Sequence, residues 1–237
     1  MKILITICAR GGSKGIPGKN IKPINGIPLI NYTINTAKLF SNLYDSEIAI
    51  STDDITILEV CKKMGIETVY KRPKHLSSDT AGKIDTIYDL IIYHEKLIGI
   101  KYDYILDLDV TSPLRTIDDI NQAFELLQKN ENALNIFSVN QANKNPYFNM
   151  VEQKEDGYYE LSKKGDFLTR QSAKTVFELN ASFYFYKRNF FDTGLKKVIN
   201  NYSLIFEMKH ICFDLDHHID FEFMSYLIEN NKLDFKL

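Results

Sequence analysis

Two groups of residues carry the chemistry of this chain. The first runs Ala9-Arg10-Gly11-Gly12-Ser13-Lys14-Gly15-Ile16-Pro17-Gly18-Lys19-Asn20. Glycines let backbone N–H groups approach an anion closely, and Arg10, Lys14 and Lys19 add positive charge, so phosphate binding is indicated. A Walker A loop needs glycine in place of Ser13 and Ser or Thr in place of Asn20, and a dinucleotide fingerprint needs Gly-x-Gly-x-x-Gly. Neither is present. The bland alternative is a solvated connector with turn glycines, which three basic residues after an apolar run disfavour. The second group is acidic. Asp214 and Asp216 are one residue apart, and on extended backbone they point to the same side, where two carboxylates can meet one hard cation. Asp107 and Asp109 repeat that spacing. For both pairs the competing role is to cap the helix that follows.

Positioning such groups requires rigid elements upstream of them. Ile3 to Cys8 is an apolar β-branched run and reads as a buried strand, which places the basic loop at a strand's carboxyl end, where open α/β sheets bind ligands. Ile30, Ile34 and Ala37 then form a helical stripe. Residues 48–53 read as a strand, followed by a helix ending near Met64, and Thr68-Val69-Tyr70 as a short strand. A helix carries Ile84, Ile87 and Ile91. Residues 104–109 form a strand, Ile117, Ile120, Phe124 and Leu127 mark a helix, and residues 134–139 form a further strand. This alternation predicts an α/β fold with a mostly parallel sheet covered on both faces. The pattern breaks over about 140–179, a polar stretch with Asn145-Pro146 and Asp156-Gly157 turns and Tyr158-Tyr159-Glu160-Leu161 as a hairpin strand. It reads as a subdomain inserted into a single domain spanning 1–237. Regular structure resumes at Phe183-Tyr184-Phe185-Tyr186 and Ile211-Cys212-Phe213, before a closing helix with Phe221, Met224 and Ile228.

The bulk numbers narrow the function classes. The net charge is −2 over 237 residues, so no basic surplus points to nucleic acid or an anionic membrane. Cys8, Cys61 and Cys212 are scattered and include no Cys-x-x-Cys pair, which argues against a disulfide framework or a zinc site. The N-terminal apolar run is too short to span a bilayer and has no signal-peptide pattern, so the expected location is the cytoplasm.

Taken in order along the chain, these motifs resemble one family. The basic loop is similar to the signature of the CMP-sialic acid synthetases (acylneuraminate cytidylyltransferases), which begin Ala-Arg-x-x-Ser-Lys-Gly and continue to Lys-Asn. Lys71-Arg72-Pro73 with Leu76-Ser77-Ser78-Asp79-Thr80 follows, then Thr111-Ser112-Pro113-Leu114-Arg115. Asn180-Ala181-Ser182-Phe183-Tyr184 comes next, and Phe213-Asp214-Leu215-Asp216 with Asp220 completes the set. The resemblance covers nearly the whole chain.

It implies a three-layer sandwich of the nucleotide-diphospho-sugar transferase type, with the 140–179 insertion as a dimerisation element reaching across a homodimer. It implies transfer of a cytidylyl group from CTP to an acidic nine-carbon, sialic-acid-like sugar, with release of pyrophosphate. By the same resemblance Arg10, Gly11, Gly12, Ser13, Lys14 and Lys19 bind the phosphates, Lys14 also acting catalytically, while Asn20 and Arg72 place the cytidine. Asp214 and Asp216 become Mg²⁺ ligands. Arg170 and Tyr184 contact the sugar, with an arginine fork suited to its carboxylate. Asp109 departs from the glutamine frequent there, and either a metal or a sugar hydroxyl remains open for it. Phe148 stands where neuraminic-acid enzymes carry lysine, making the pocket less polar. Residues 8–15, 107–109 and 145–149 are most similar to the branch acting on legionaminic acid. The rivals are a nucleotidyltransferase of the Kdo or molybdenum-cofactor type and a nucleotide-binding protein without turnover.

Overall fold

The computed structural model describes residues 1–13, 15–169 and 171–237. Strand β1 (Ile3–Cys8) shows how the sheet earns two covered faces. Ile3, Ile5 and Ile7 enter one apolar layer and Leu4 enters the other, as the two-residue period of a strand requires. A tight hairpin of β2 (Pro23–Ile24) and β3 (Ile27–Pro28) turns at Asn25 and Gly26, both with positive φ, and delivers the chain into α1 (Leu29–Ser41). There follow β4 (Ser46–Ser51), α2 (Ile55–Lys63), α3 (Lys83–Ile98), β5 (Tyr104–Leu108) and α4 (Ile117–Lys129). The second half holds β6 (Asn135–Gln141), β7 (Val151–Gln153), β8 (Tyr159–Leu161), β9 (Phe177–Lys187), β10 (Ser203–Glu207) and α5 (His218–Glu229).

Six strands form the central sheet in the order β10-β6-β9-β5-β1-β4. β1 lies parallel to β4 and β5, and β10 parallel to β6, while β9 runs antiparallel between β5 and β6. Helices α1, α2, α4 and α5 cover one face through residues such as Phe40, Phe124 and Met224. Helix α3 covers the other through Ile84, Ile87, Leu90 and Ile91. The expected three-layer α/β sandwich is therefore present, with one antiparallel strand at its centre. Among the described residues, no helix is long and apolar enough to cross a membrane.

Between β6 and β9 the chain leaves the sheet, and β7 pairs with β8 as an antiparallel hairpin around Gly157. Two local expectations need correction. Thr68-Val69-Tyr70 joins no sheet; Val69 is exposed, and Tyr70 is held by its amide, which donates to Thr68 Oγ1 at 3.1 Å, and by its hydroxyl, which donates to Asp89 at 2.6 Å. Ile211-Cys212-Phe213 is not a strand either, because β10 already occupies the edge of β6.

The Thr111–Arg115 and Asn180–Ser182 motifs turn out to lock the sheet's end together. Arg115 is buried, and its guanidinium donates to the carbonyls of Asp109 (3.0 Å), Ser112 (3.1 Å) and Ser182 and to the Thr33 hydroxyl (2.8 Å). Ser182 Oγ donates to the Ser112 carbonyl at 2.8 Å. Ala181 sits at φ 60°, a left-handed conformation unusual for alanine, beside an irregularity in β6–β9 pairing. The Asn180 carboxamide fastens this kink, accepting from Ser138 Oγ at 2.6 Å and donating to Asn140 at 2.8 Å. Removing Arg115 would orphan several buried carbonyls at once. Arg115→Ala is expected to lower unfolding free energy by about 3 kcal/mol, read by urea denaturation; a loss within experimental error would contradict this role.

Candidate active site

The carboxyl ends of β1 and β5, with the start of α3, open on a cleft of about 400 Å³. Arg10, Ser13, Lys19, Asn20, Arg72, Asp109 and Asp216, all singled out from sequence, line it. β1 throws Arg10 to the cleft mouth, where its guanidinium donates to Asp79 at 2.5 Å. A short 3₁₀ turn at Lys19–Ile21 aims the Lys19 ammonium at Asp216 Oδ1, 3.0 Å away. The same turn lets Asn20 donate to the Arg10 carbonyl at 2.9 Å. Arg72 is anchored by donating through Nε and a terminal nitrogen to the Leu76 carbonyl. Basic groups thus converge on one side of the cleft from three separate segments.

The loop's glycines divide into different jobs. The Gly11 N–H donates to Asp53 at 3.0 Å, and a Cβ on Gly11 would stand 2.8 Å from that of Asp54, the N-cap of α2. Gly11 is needed for this close approach. A Cβ on Gly15 would meet the Asp216 carbonyl at 3.2 Å, so the basic loop and the acidic segment are packed against one another. Gly12 meets nothing within 4 Å and faces open space. Lys14 and Arg170 lie outside the described residues.

The opposite wall is acidic. Asp107 is buried at the end of β5, where it accepts from Thr6 Oγ1 at 2.8 Å. Asp109 engages both its oxygens: Oδ1 accepts from the Thr111 amide (3.0 Å) and hydroxyl (2.9 Å), and Oδ2 from Lys83 (3.1 Å). Lys83 Nζ also lies 2.9 Å from Asp107 and 4.0 Å from the centre of the Tyr184 ring. Burial works against the charge of Lys83, but the two aspartates outweigh it and raise its pKa well above the ordinary lysine value. Burial likewise opposes ionisation of Asp109, and Lys83 with Thr111 reverses that, holding the carboxyl below its usual range. Tyr184 is buried against Lys83 and does not itself line the cleft, which it reaches only through that ammonium.

Asp214 has no such compensation. Its Oδ1 is buried with no hydrogen-bond partner among the described residues. Burial raises its pKa, and the charges of Asp109 and Asp216 push the same way against Thr111 and Lys19. Asp216 is exposed, and its backbone amide donates to the Asp220 carboxylate at 2.9 Å. Asp220 and His217 form the capping box of α5, so His217 and His218 serve the helix start. An orphaned carboxylate oxygen beside like charges fits a divalent cation at Asp214 and Asp216. Among the described residues no three His, Cys, Asp or Glu side chains form a complete cage, which suits a cation that takes its remaining ligands from phosphate and water. Phe148 is half-buried in the inserted arm and does not line the cleft of its own chain.

Comparison with known proteins gives the family. A family model described as cytidylyltransferase matches residues 4–233. This chain belongs to the cytidylyltransferase family. Post-translational flagellin modification protein B of Campylobacter coli is 40% identical over 235 residues, covering 99% of this chain and 98% of that one. CMP-N,N'-diacetyllegionaminic acid synthase of Campylobacter jejuni subsp. jejuni serotype O:2 is 37% identical over 235 residues, covering 98% and 97%. Among solved structures, CMP:2-keto-3-deoxy-manno-octonic acid synthetase complexed with CTP shares the fold, with TM-score 0.70, 16% identity and 98% of this chain covered against 100% of that one.

Within this cytidylyltransferase, several site residues escaped the sequence reading. Lys83 is the chief one, and its signal was a cation in the first turn of a helix, where the helix dipole disfavours it. Asp79 and Thr111 stood inside recognised motifs without a role. Cys8 lines the cleft, but burial, then Asp107, pushes its thiol up to about 12, so it is no nucleophile at neutral pH.

The segment bearing Asp214 and Asp216 has its own anchor. His210 Nε2 lies 2.8 Å from Asp119 Oδ2 and Nδ1 lies 3.0 Å from the Ile211 carbonyl. Both partners only accept, so both ring nitrogens donate and the ring is an imidazolium. Burial opposes that charge, yet Asp119 and the Ile211 carbonyl raise the His210 pKa above 6.5. A raised histidine pKa contributes stability that is full below the unfolded value and lost as pH climbs through the folded one. Against His210→Gln, wild type should therefore show its larger excess in urea midpoint below pH 6.5 and a shrinking excess above it. An excess independent of pH would exclude the imidazolium.

Proposed function

We propose that this enzyme transfers the cytidylyl group of CTP to a nonulosonic acid, giving the CMP-sugar and pyrophosphate. The observation that carries the reading is a single cleft lined by Arg10, Lys19, Arg72, Asp109 and Asp216 in a chain of this family. The solved neighbour named above was complexed with CTP, and the relative from Campylobacter jejuni makes a CMP-linked legionaminic acid. Those facts belong to those proteins and support the same substrates here.

In this reading Arg10, Ser13, Lys14 and Lys19 hold the triphosphate, Lys14 and Lys19 countering charge as pyrophosphate departs. Asn20 and Arg72 place the cytidine. The sugar's anomeric oxygen attacks the α-phosphorus, the new P–O bond forms, and the bond to the pyrophosphate oxygen breaks. Asp214 and Asp216 would hold Mg²⁺, which when bound neutralises charge on the phosphates. Arg170 receives the sugar's carboxylate, and the arm carrying Phe148 and Arg170 reaches the cleft of a second copy in a homodimer. Exposed Val151, Tyr158, Tyr159 and Leu168 on that arm favour such an interface. The sugar is of the legionaminic type, on the strength of that relative and the Phe148 exchange. A nucleotide-sensing role without turnover is disfavoured by the unpartnered Asp214 oxygen, which sensing does not require.

The test is pyrophosphate release with a panel of nucleotides and nonulosonic acids. CTP should support turnover and ATP or GTP little; comparable use of GTP would overturn the cytidylyl assignment. Asp214→Asn and Asp216→Asn should each stay folded and lose at least about a hundredfold in kcat. Arg170→Ala should raise the sugar KM roughly tenfold or more while leaving the CTP KM nearly unchanged. Equal effects on both constants would remove the arginine from the sugar's carboxylate.

A further inference from the structure

Two aspartate pairs with identical spacing meet at one cleft, which Asp107, Asp109 and Asp216 line while Asp214 lies close enough to feel the charge of Asp109, and their surroundings differ. Between Asp107 and Asp109 stands an ammonium that touches both, at 2.9 and 3.1 Å. Among the described residues, Asp214 keeps a buried oxygen with no hydrogen-bond partner, and Asp216 is exposed, with one oxygen on Lys19. Resting on the cation site of the proposed function, we propose that Lys83 assigns the divalent ion to Asp214 and Asp216 by filling the space between Asp107 and Asp109 with an internal cation.

Three observations carry this. Lys83 is the first residue of α3, after the N-cap Gly82, where the helix dipole repels a positive charge. Its position there needs a compensating attraction, and the two carboxylates provide it. The ammonium is also seated on the face of the Tyr184 ring at 4.0 Å, so it is fixed from below as well as from the sides. Finally, the Asp107 side chain is only 2% exposed. A divalent ion such as Mg²⁺ sheds water reluctantly, so it competes poorly with a resident ammonium for so buried a carboxylate. A tethered ammonium needs no such shell and is present at high effective concentration.

Lysine therefore does at one pair what the divalent ion does at the other. The electrostatic consequence is that the site carries a permanent positive charge on its β5 side and accepts an exchangeable one on its α5 side. Lys83 is a positioning residue in this scheme. It decides which carboxylates are left to bind metal, and it keeps Asp109 in its hydrogen bonds to Thr111.

Direct Mn²⁺ binding, followed by the electron paramagnetic resonance signal of free Mn²⁺ without nucleotide, tests the idea. Wild type should bind one Mn²⁺ per chain, Asp214→Asn should lose it, and Asp109→Asn should keep it. Lys83→Gln should gain a second, weaker site that the further change Asp109→Asn abolishes, whereas Lys83→Arg should keep a single site. Because Lys83→Gln leaves Asp107 buried without its counter-charge, its thermal midpoint is measured with and without Mn²⁺, and added Mn²⁺ should restore part of the lost stability. Wild-type binding that is lost in Asp109→Asn overturns the proposal, as does a folded Lys83→Gln that binds no second ion. Should Asp214→Asn keep the ion while Asp109→Asn also keeps it, the cation site of the proposed function fails instead.

Discussion

The charge balance between Lys83, Asp107 and Asp109 is the constraint on which the site depends. A buried carboxylate left alone would protonate or unfold its surroundings, and this one ends the strand that forms the cleft floor. With Lys83 in place, Asp107 can stay charged beside Thr6, Asp109 can hold Thr111, and Tyr184 becomes a seat for the ammonium. The start of α3 is thereby tied to the end of β5. The cleft between them has a floor held by charge pairing, while Asp216 at its margin stays exposed.

Around that floor, the fold gathers segments far apart in sequence. β1 and β5 are neighbours, so the basic loop after residue 8 and the loop after residue 108 emerge side by side. Gly15 packs on the Asp216 carbonyl and Lys19 reaches the Asp216 side chain, which joins the first and last parts of the site. Arg115 and the Asn180–Ser182 kink hold the loops behind them, using backbone carbonyls rather than substrate. Two stretches that carried the family resemblance are thus largely the frame. The His210–Asp119 pair anchors the segment that leads to Asp214 and Asp216.

Much of this was legible in the chain itself. The apolar runs of β1, β4, β5 and β6 and the stripes of α1, α3 and α4 follow directly from strand and helix periods, because each is buried on a defined face. β10 was missed because Ser203–Glu207 is a short edge strand with none of its residues fully buried, leaving little pattern. Ile211-Cys212-Phe213 has the composition of a strand but pairs with no strand of the sheet. The basic loop and both aspartate pairs were visible as types and spacings. What spacing could not tell was which pair is already neutralised, since Lys83 comes from an element 24 residues before Asp107 in the chain. Phe148 illustrates the other limit: its place in the arm, away from its own chain's cleft, depends on how the insertion leaves the sheet.

The account stands on one chemical claim, that bond breaking occurs at the α-phosphorus of CTP. The fate of phosphorus tests it most directly, using CTP labelled at the α position in parallel with CTP labelled at the γ position and a nonulosonic acid as acceptor. The α label is expected in an acid-labile product that also contains the sugar, and the γ label entirely in pyrophosphate. A γ label in inorganic phosphate or on the sugar, with the α label left in CDP, would contradict the claim and make the cleft a site of a different phosphoryl transfer.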